Sequence, residues 1–222
     1  MKKLLTAVMS VLLFAGSAFA LNFSADGNFT IPMNAWYDTW EVSNVIKTTT
    51  KNLDYGFGFD AGGQAMLTNQ FGARVAFGFS WPQGDNWTNN TTNSFTNSTT
   101  TTSGTTKYNS DNTSLFAINL FVGPVINIKN TKKYVIYVNP GFYMQTRIKT
   151  VTQSDNSKTT TSTSDFGLGA EIDARYDITR KCYVRASCPL IWTFSSKDNS
   201  SGSTHDVQKF SFAPHFGVGY KF

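Results

Sequence analysis

Nine charged residues stand inside stretches that otherwise alternate apolar with small or polar side chains: Asp54, Asp60, Arg74, Arg147, Glu171, Asp173, Arg175, Asp177 and Arg185. All nine fall on the parity opposite to the apolar residues. Enclosed carboxylates and guanidinium groups must be paired or solvated. Asp60, Arg74, Glu171, Asp173, Arg175 and Arg185 lie nearest mid-segment and are expected to form an interior network of ion pairs and hydrogen bonds. The alternative chemistry is a narrow or gated ion path along the same residues.

A second candidate is the adjacent pair His205 and Asp206 among Ser200, Ser201 and Ser203. Serine, histidine and an acid suit hydrolysis or acyl transfer, but no spacing here fixes a triad geometry. A solvated loop histidine is the simpler expectation. His215 sits on the polar parity of the last segment. Cys182 and Cys188 share a parity six residues apart. Their Cα atoms are then roughly 20 Å apart in a strand, beyond the ~7 Å that a disulfide spans. Two free thiols are expected. There is no metal-ligand spacing, and no cofactor is implied.

Eight segments carry the alternation: about 22–33, 53–66, 71–81, 114–128, 134–147, 165–178, 182–195 and 210–222. The sixth is the clearest interior one. Phe166, Leu168, Ala170, Ile172, Ala174, Tyr176 and Ile178 face one way, and Gly167, Gly169, Glu171, Asp173, Arg175 and Asp177 the other. Period two throughout is a strand signal. The connections alternate in length. Residues 67–70, 129–133 and 179–181 are short, whereas 34–52, 82–113, 148–164 and 196–206 are longer. Short turns at one end and long connections at the other describe an up-and-down antiparallel barrel of eight strands.

Four features place the apolar face outward, toward lipid. That face carries essentially no charge, and a charge there would cost about 2–4 kcal/mol at the bilayer midplane. The opposite face is rich in Gly, Ala and Ser, as the narrow interior of a small barrel requires. Aromatic residues gather at the two ends: Trp36, Trp40, Trp81, Trp192 and Phe194 toward the long connections, and Phe71, Tyr134, Tyr176, Tyr220 and Phe222 toward the short turns. The chain also ends on an apolar-face aromatic.

Residues 1–20, "MKKLLTAVMSVLLFAGSAFA", have the basic start, apolar run and small-residue cleavage site of a secretory signal peptide. The remaining 21–222 fit one β-barrel domain. Without Lys2 and Lys3, 17 basic residues face 14 acidic ones. With no basic cluster, this balance gives no sign of nucleic-acid binding. The connection 82–112 is the most unusual tract: 21 of its 31 residues are Thr, Asn or Ser. Residues 148–164 repeat that composition. Such tracts extend the barrel wall as hairpins or remain mobile. They are either a contact surface for host or extracellular molecules or a solvating cap.

With Phe216, Val218, Tyr220 and Phe222 alternating around Gly217 and Gly219, the chain resembles the small eight-stranded outer-membrane proteins of the OmpA-barrel and OmpX-like class. The resemblance spans the mature chain as a pattern rather than a long motif. It implies an all-β transmembrane barrel in a bacterial outer membrane, in contact with its lipids. It also implies that these four C-terminal residues are the signal read by the barrel-assembly machinery. The expected function is a non-enzymatic surface protein, envelope-structural or adhesive. A small or gated pore is the alternative, and a rim-located lipid-modifying enzyme the third choice.

Overall fold

The structure, a computed structural model, describes residues 22–42, 45–108, 112–200 and 203–222, with the backbone alone for 195–200 and 203–206. The leader at 1–20 and the side chains of His205 and Asp206 lie outside the described residues. Among the described residues there are eleven strands: β1 (Asn22–Thr30), β2 (Met33–Val42), β3 (Ile46–Met66), β4 (Phe71–Asn93), β5 (Ser98–Lys107), β6 (Thr113–Asn130), β7 (Tyr134–Thr152), β8 (Lys158–Asp177), β9 (Cys182–Ser200), β10 (Ser203–Phe212) and β11 (His215–Lys221). All pairings are antiparallel.

The eleven strands make eight staves of a closed ring. β1 and β2 form the first stave, β5 and β6 the fourth, and β10 and β11 the last. The first and last staves break at the same level, at Ile31–Pro32 and Ala213–Pro214. A proline has no N–H to give the ladder, and two of them meet at the closing seam. There Ile31 N donates to Pro214 O at 3.0 Å. Below the break Thr30 pairs with His215; above it Met33 pairs with Phe212.

The three short turns share one device. Thr68, Thr131 and Thr179 each accept, on the side-chain oxygen, the backbone N–H three residues on, at 2.9, 3.0 and 2.9 Å. This local bond favours a turn over a continued strand.

The outward face is apolar. Phe59, Phe71, Phe142, Phe166, Phe216 and Val218 are all more than half exposed to solvent when lipid is left out. A continuous apolar surface of this kind needs a nonaqueous neighbour. On β3 the outward apolar alternation from Phe57 to Ala65 spans the 9–11 residues needed to cross the hydrocarbon as a tilted strand. The lumen is not uniformly polar, because Leu115, Ala117, Phe121 and Val125 of β6 are buried inside it.

One alternative is resolved, in favour of hairpins, and one expectation is corrected. The long connections are mostly strand: β2 with the start of β3, the end of β4 with β5, the end of β7 with the start of β8, and the end of β9 with β10. They carry the barrel wall beyond the membrane. Trp36 does not belong to the outer aromatic girdle. Its ring lies on the lumenal parity, with the guanidinium of Arg147 stacked over it at 5.3 Å. Trp40 stands well above the girdle, at the level of Thr48 and Thr91.

Candidate functional site

The lower lumen holds a charged plug. Asp26, on β1, accepts a bidentate bond from Arg74 on β4, at 2.7 and 2.8 Å. This parallel two-bond geometry is the strong form of the contact. Arg74 Nε lies 3.1 Å from Glu171 Oε2 on β8. Arg185 on β9 bonds Glu171 and lies 3.0 Å from Asp173 and 3.5 Å from Asp26. Arg175 bonds Asp173 at 2.7 Å and also Gln64. Its guanidinium stacks between the rings of Tyr137 and Tyr183, at 4.8 and 4.9 Å. Side-chain amides and hydroxyls add further bonds, with Asn139 donating to Glu171 at 2.9 Å and Ser187 at 2.8 Å.

Arg74, Glu171, Asp173, Arg175 and Arg185 thus meet in one buried network. Asp60 joins it through Asn28, which donates to both Asp60 and Asp26, at 2.6 and 2.9 Å. His215 Nδ1 lies 3.2 Å from Asp60 and 3.8 Å from Glu171. Asp177 stands apart, bonded to Lys221 at 2.6 Å near the lower rim. Asp26 is the hub that the sequence candidates lack. Its signal was parity: it alternates with Phe23, Ala25 and Phe29 as the polar charges do with their own apolar neighbours. Gln64, Asn28 and Tyr183 were legible in the same way.

Above the plug lies a cavity of about 60 Å³ lined in part by Asp60, Asn119, Tyr143, Glu171, Ile191 and His215. A second polar layer closes it. Asn119 donates to Ser80 at 3.1 Å and accepts from Tyr143 and Gln145, at 2.6 and 2.9 Å. Gln145 accepts from Arg147 at 2.8 Å, and Arg147 donates to Asp54 at 2.9 Å. Asp54 sits beyond the membrane belt, directly opposite Asp85. Burial raises its carboxyl to a pKa of about 6; Arg147 opposes that rise and Asp85 adds to it. Tyr108 donates to Asp54 at 3.2 Å, and burial holds its hydroxyl well above the usual tyrosine range. Among the described residues no group of three or more His, Cys, Asp or Glu is arranged to hold a metal ion.

Outside the membrane the wall is a ladder of hydroxyls and amides. Cross-strand contacts join Thr48 to Thr91, Thr92 to Thr99 and Thr150 to Thr160, at 3.3, 3.2 and 3.2 Å. Thr101 and Thr105 donate to Asn90 and Asn86, at 2.8 and 2.9 Å. The β4–β5 tip is an Asn-built turn. Asn93 Oδ1 accepts from Phe95 N at 2.9 Å, and Asn97 takes the left-handed φ of 49° that asparagine tolerates. That turn lifts Phe95 into solvent at 84% exposure. Gly104 leaves room for the Trp87 ring, which an added Cβ would meet at 2.7 Å.

At the C-terminus, Phe216, Val218, Tyr220 and Phe222 lie on the outward face, and the Tyr220 and Phe222 rings meet edge to face at 5.2 Å. β11 is clamped between β1 and β9, and Phe222 N donates to Phe23 O at 3.0 Å. Cys182 and Cys188 are free thiols.

No curated protein matches the sequence. Among solved structures, a major outer membrane protein of Thermus thermophilus is similar at 12% identity and a TM-score of 0.51, covering 88% of this chain and 99% of that one. Neisserial surface protein A is 15% identical with a TM-score of 0.46, covering 87% and 97%. Ail, the attachment invasion locus protein of Yersinia pestis, is 12% identical with a TM-score of 0.42, covering 89% and 99%. The family model for the outer membrane protein beta-barrel domain matches residues 6–222. With an eight-stave ring, a lipid-facing apolar belt and a polar lumen, the chain belongs to the outer-membrane protein β-barrel family and resides in the bacterial outer membrane.

Proposed function

We propose that this protein is a non-enzymatic surface protein. A closed barrel holds a hydroxyl-rich wall above the outer membrane, where it serves envelope structure and adhesion. The observation that carries this reading is the division of chemistry along the barrel axis. Every charged group at mid-lumen is consumed by another one, in two stacked polar layers. What the wall turns outward is dominated by exposed Thr, Asn and Ser, as along β5, and by the raised ring of Phe95. Residues 1–20 act as the export leader. Phe216, Val218, Tyr220 and Phe222 present the alternate-residue pattern for the assembly machinery.

The test replaces residues 86–105 by a two-residue turn in a Gram-negative host. Attachment of cells to immobilised matrix proteins and glycosaminoglycans is compared with the intact chain, and detergent sensitivity reports envelope integrity. Loss of either property supports the reading. Unchanged attachment and unchanged integrity, with the barrel still folded, overturn it.

A further inference from the structure

β5 is an unprotected sheet edge. Among the described residues it pairs with β4 and with no other strand. Its neighbour in the ring falls short. At the level where Ser80, Ala117 and Arg147 are aligned, β7 goes on only to Thr152, whereas β4 goes on to Asn93. The β4–β5 hairpin therefore overtops the β7–β8 hairpin by about eight residues, roughly 26 Å along the strand. Proteins normally guard such edges with charge, proline or a bulge. β5, "STTTTSGTTK", has no proline and no register shift, and its one charge is Lys107 at the base.

The direction of the open groups is fixed. Tyr108 donates its backbone N–H to Gln83 O at 2.8 Å. In an antiparallel pair, alternate residues bond the same neighbour, so the even residues of β5 bond β4. The N–H and C=O of Thr99, Thr101, Ser103 and Thr105 point to the open side.

Resting on the reading of the wall as a contact surface, we propose that β5 pairs with β5 of a second copy of this chain on a facing membrane. Three observations select that occupant. First, the edge is self-complementary. Antiparallel pairing centred on Thr102 sets Thr99 against Thr105 and Thr101 against Ser103, with their open groups facing. On the order of eight backbone hydrogen bonds result. Second, the cross-strand hydroxyl pairs so formed are ones the chain already makes, as between Thr92 and Thr99. No like charges oppose each other. Third, the symmetry axis of an antiparallel pair stands perpendicular to the sheet. In a barrel wall that axis is radial, so it inverts the barrel axis and brings the partner from an opposing membrane. The contact is isologous and closes at two copies. Single contacts are weak, and many copies between two membranes sum them.

The experiment uses the full-length protein in phosphatidylcholine vesicles labelled with donor or acceptor dye. Wild-type vesicles are expected to cluster only when both populations carry protein. Thr101→Pro removes an open-side N–H that β4 does not use, and proline is tolerated there. It should lower clustering at least ten-fold while heat-modifiable gel mobility stays unchanged. Thr102→Lys vesicles and Thr102→Asp vesicles should each fail to cluster alone and cluster when mixed, because residue 102 faces its own copy. Absence of wild-type clustering, clustering with protein on one population alone, or insensitivity to both sets of variants would overturn the proposal. Attachment of cells to foreign matrices can fail while vesicle clustering stands, so this proposal and the adhesive reading fail separately.

Discussion

Arg185→Met is the sharpest probe of the lumen. The Arg185 side chain is wholly buried and meets three carboxylates: Asp26, Glu171 and Asp173. In the wild type, Asp26, Asp60, Glu171 and Asp173 face Arg74, Arg175 and Arg185. The substitution leaves the same carboxylates with two guanidinium groups. Two unit charges 4 Å apart interact by about 4 kcal/mol at an effective dielectric of about 20. Breaking a buried pair from one side costs about 3–5 kcal/mol by experiment. Arg185→Met is therefore expected to lose about 4 kcal/mol, since Arg74 still serves Asp26 and Glu171, and Arg175 still serves Asp173. The assay is equilibrium urea unfolding in lipid vesicles, read by tryptophan fluorescence. Adding Glu171→Gln to Arg185→Met removes the carboxylate that Arg185 bonds directly, so the double variant should recover at least about 2 kcal/mol relative to the sum of the single losses. A single-variant loss below about 1 kcal/mol, or strictly additive losses, would refute the buried network.

Three further outcomes are expected. Asp54 has a folded pKa of about 6, above the ordinary aspartate value of 3.8. The stability it contributes is full below the unfolded pKa and is lost as pH rises through 6; Asp54→Asn should remove a slope of up to about 3 kcal/mol between pH 4 and 7.5, seen as the difference between wild-type and variant unfolding midpoints. Gly219 has no room for a side chain, since a Cβ would lie 2.1 Å from the Tyr183 ring; Gly219→Val should cost about 1–3 kcal/mol and lower the fraction that refolds into a heat-modifiable form. Phe95→Ser should change stability by less than about 0.5 kcal/mol and reduce cell attachment, because the ring touches solvent rather than the wall.

The membrane part of the chain was legible because lipid imposes period two. A strand with hydrocarbon on one face and packed polar groups on the other must alternate, as Phe166 to Ile178 does. Above the membrane both faces meet water, so the apolar alternation disappears although the strands continue. Only the abundance of β-branched threonine in 98–106 and 159–163 marked strand there, which is why those tracts stayed open between wall-extending hairpins and mobile segments. Trp36 read as a girdle residue because tryptophan belongs at interfaces. Its lumenal place follows the even parity it shares with Asp26, Asn28, Thr30 and Asn34, all buried, and Arg147 arrives over its ring from the far wall. The partners across the lumen, such as Arg74 with Asp26 and Glu171, depend on stave order and register, which no local stretch of sequence encodes. Inward parity was readable; who meets whom was not.

The most direct measurement is single-channel recording of the purified protein in planar bilayers. A lumen closed by the Asp26–Arg74–Glu171–Arg185 plug and by the Asn119–Gln145–Arg147 layer should give no conductance steps above background across about ±150 mV. Arg185→Met, where it still folds, should give small openings. Discrete, protein-dependent steps from the wild type would contradict the closed barrel and would make the lumen, rather than the wall, the working part of the molecule.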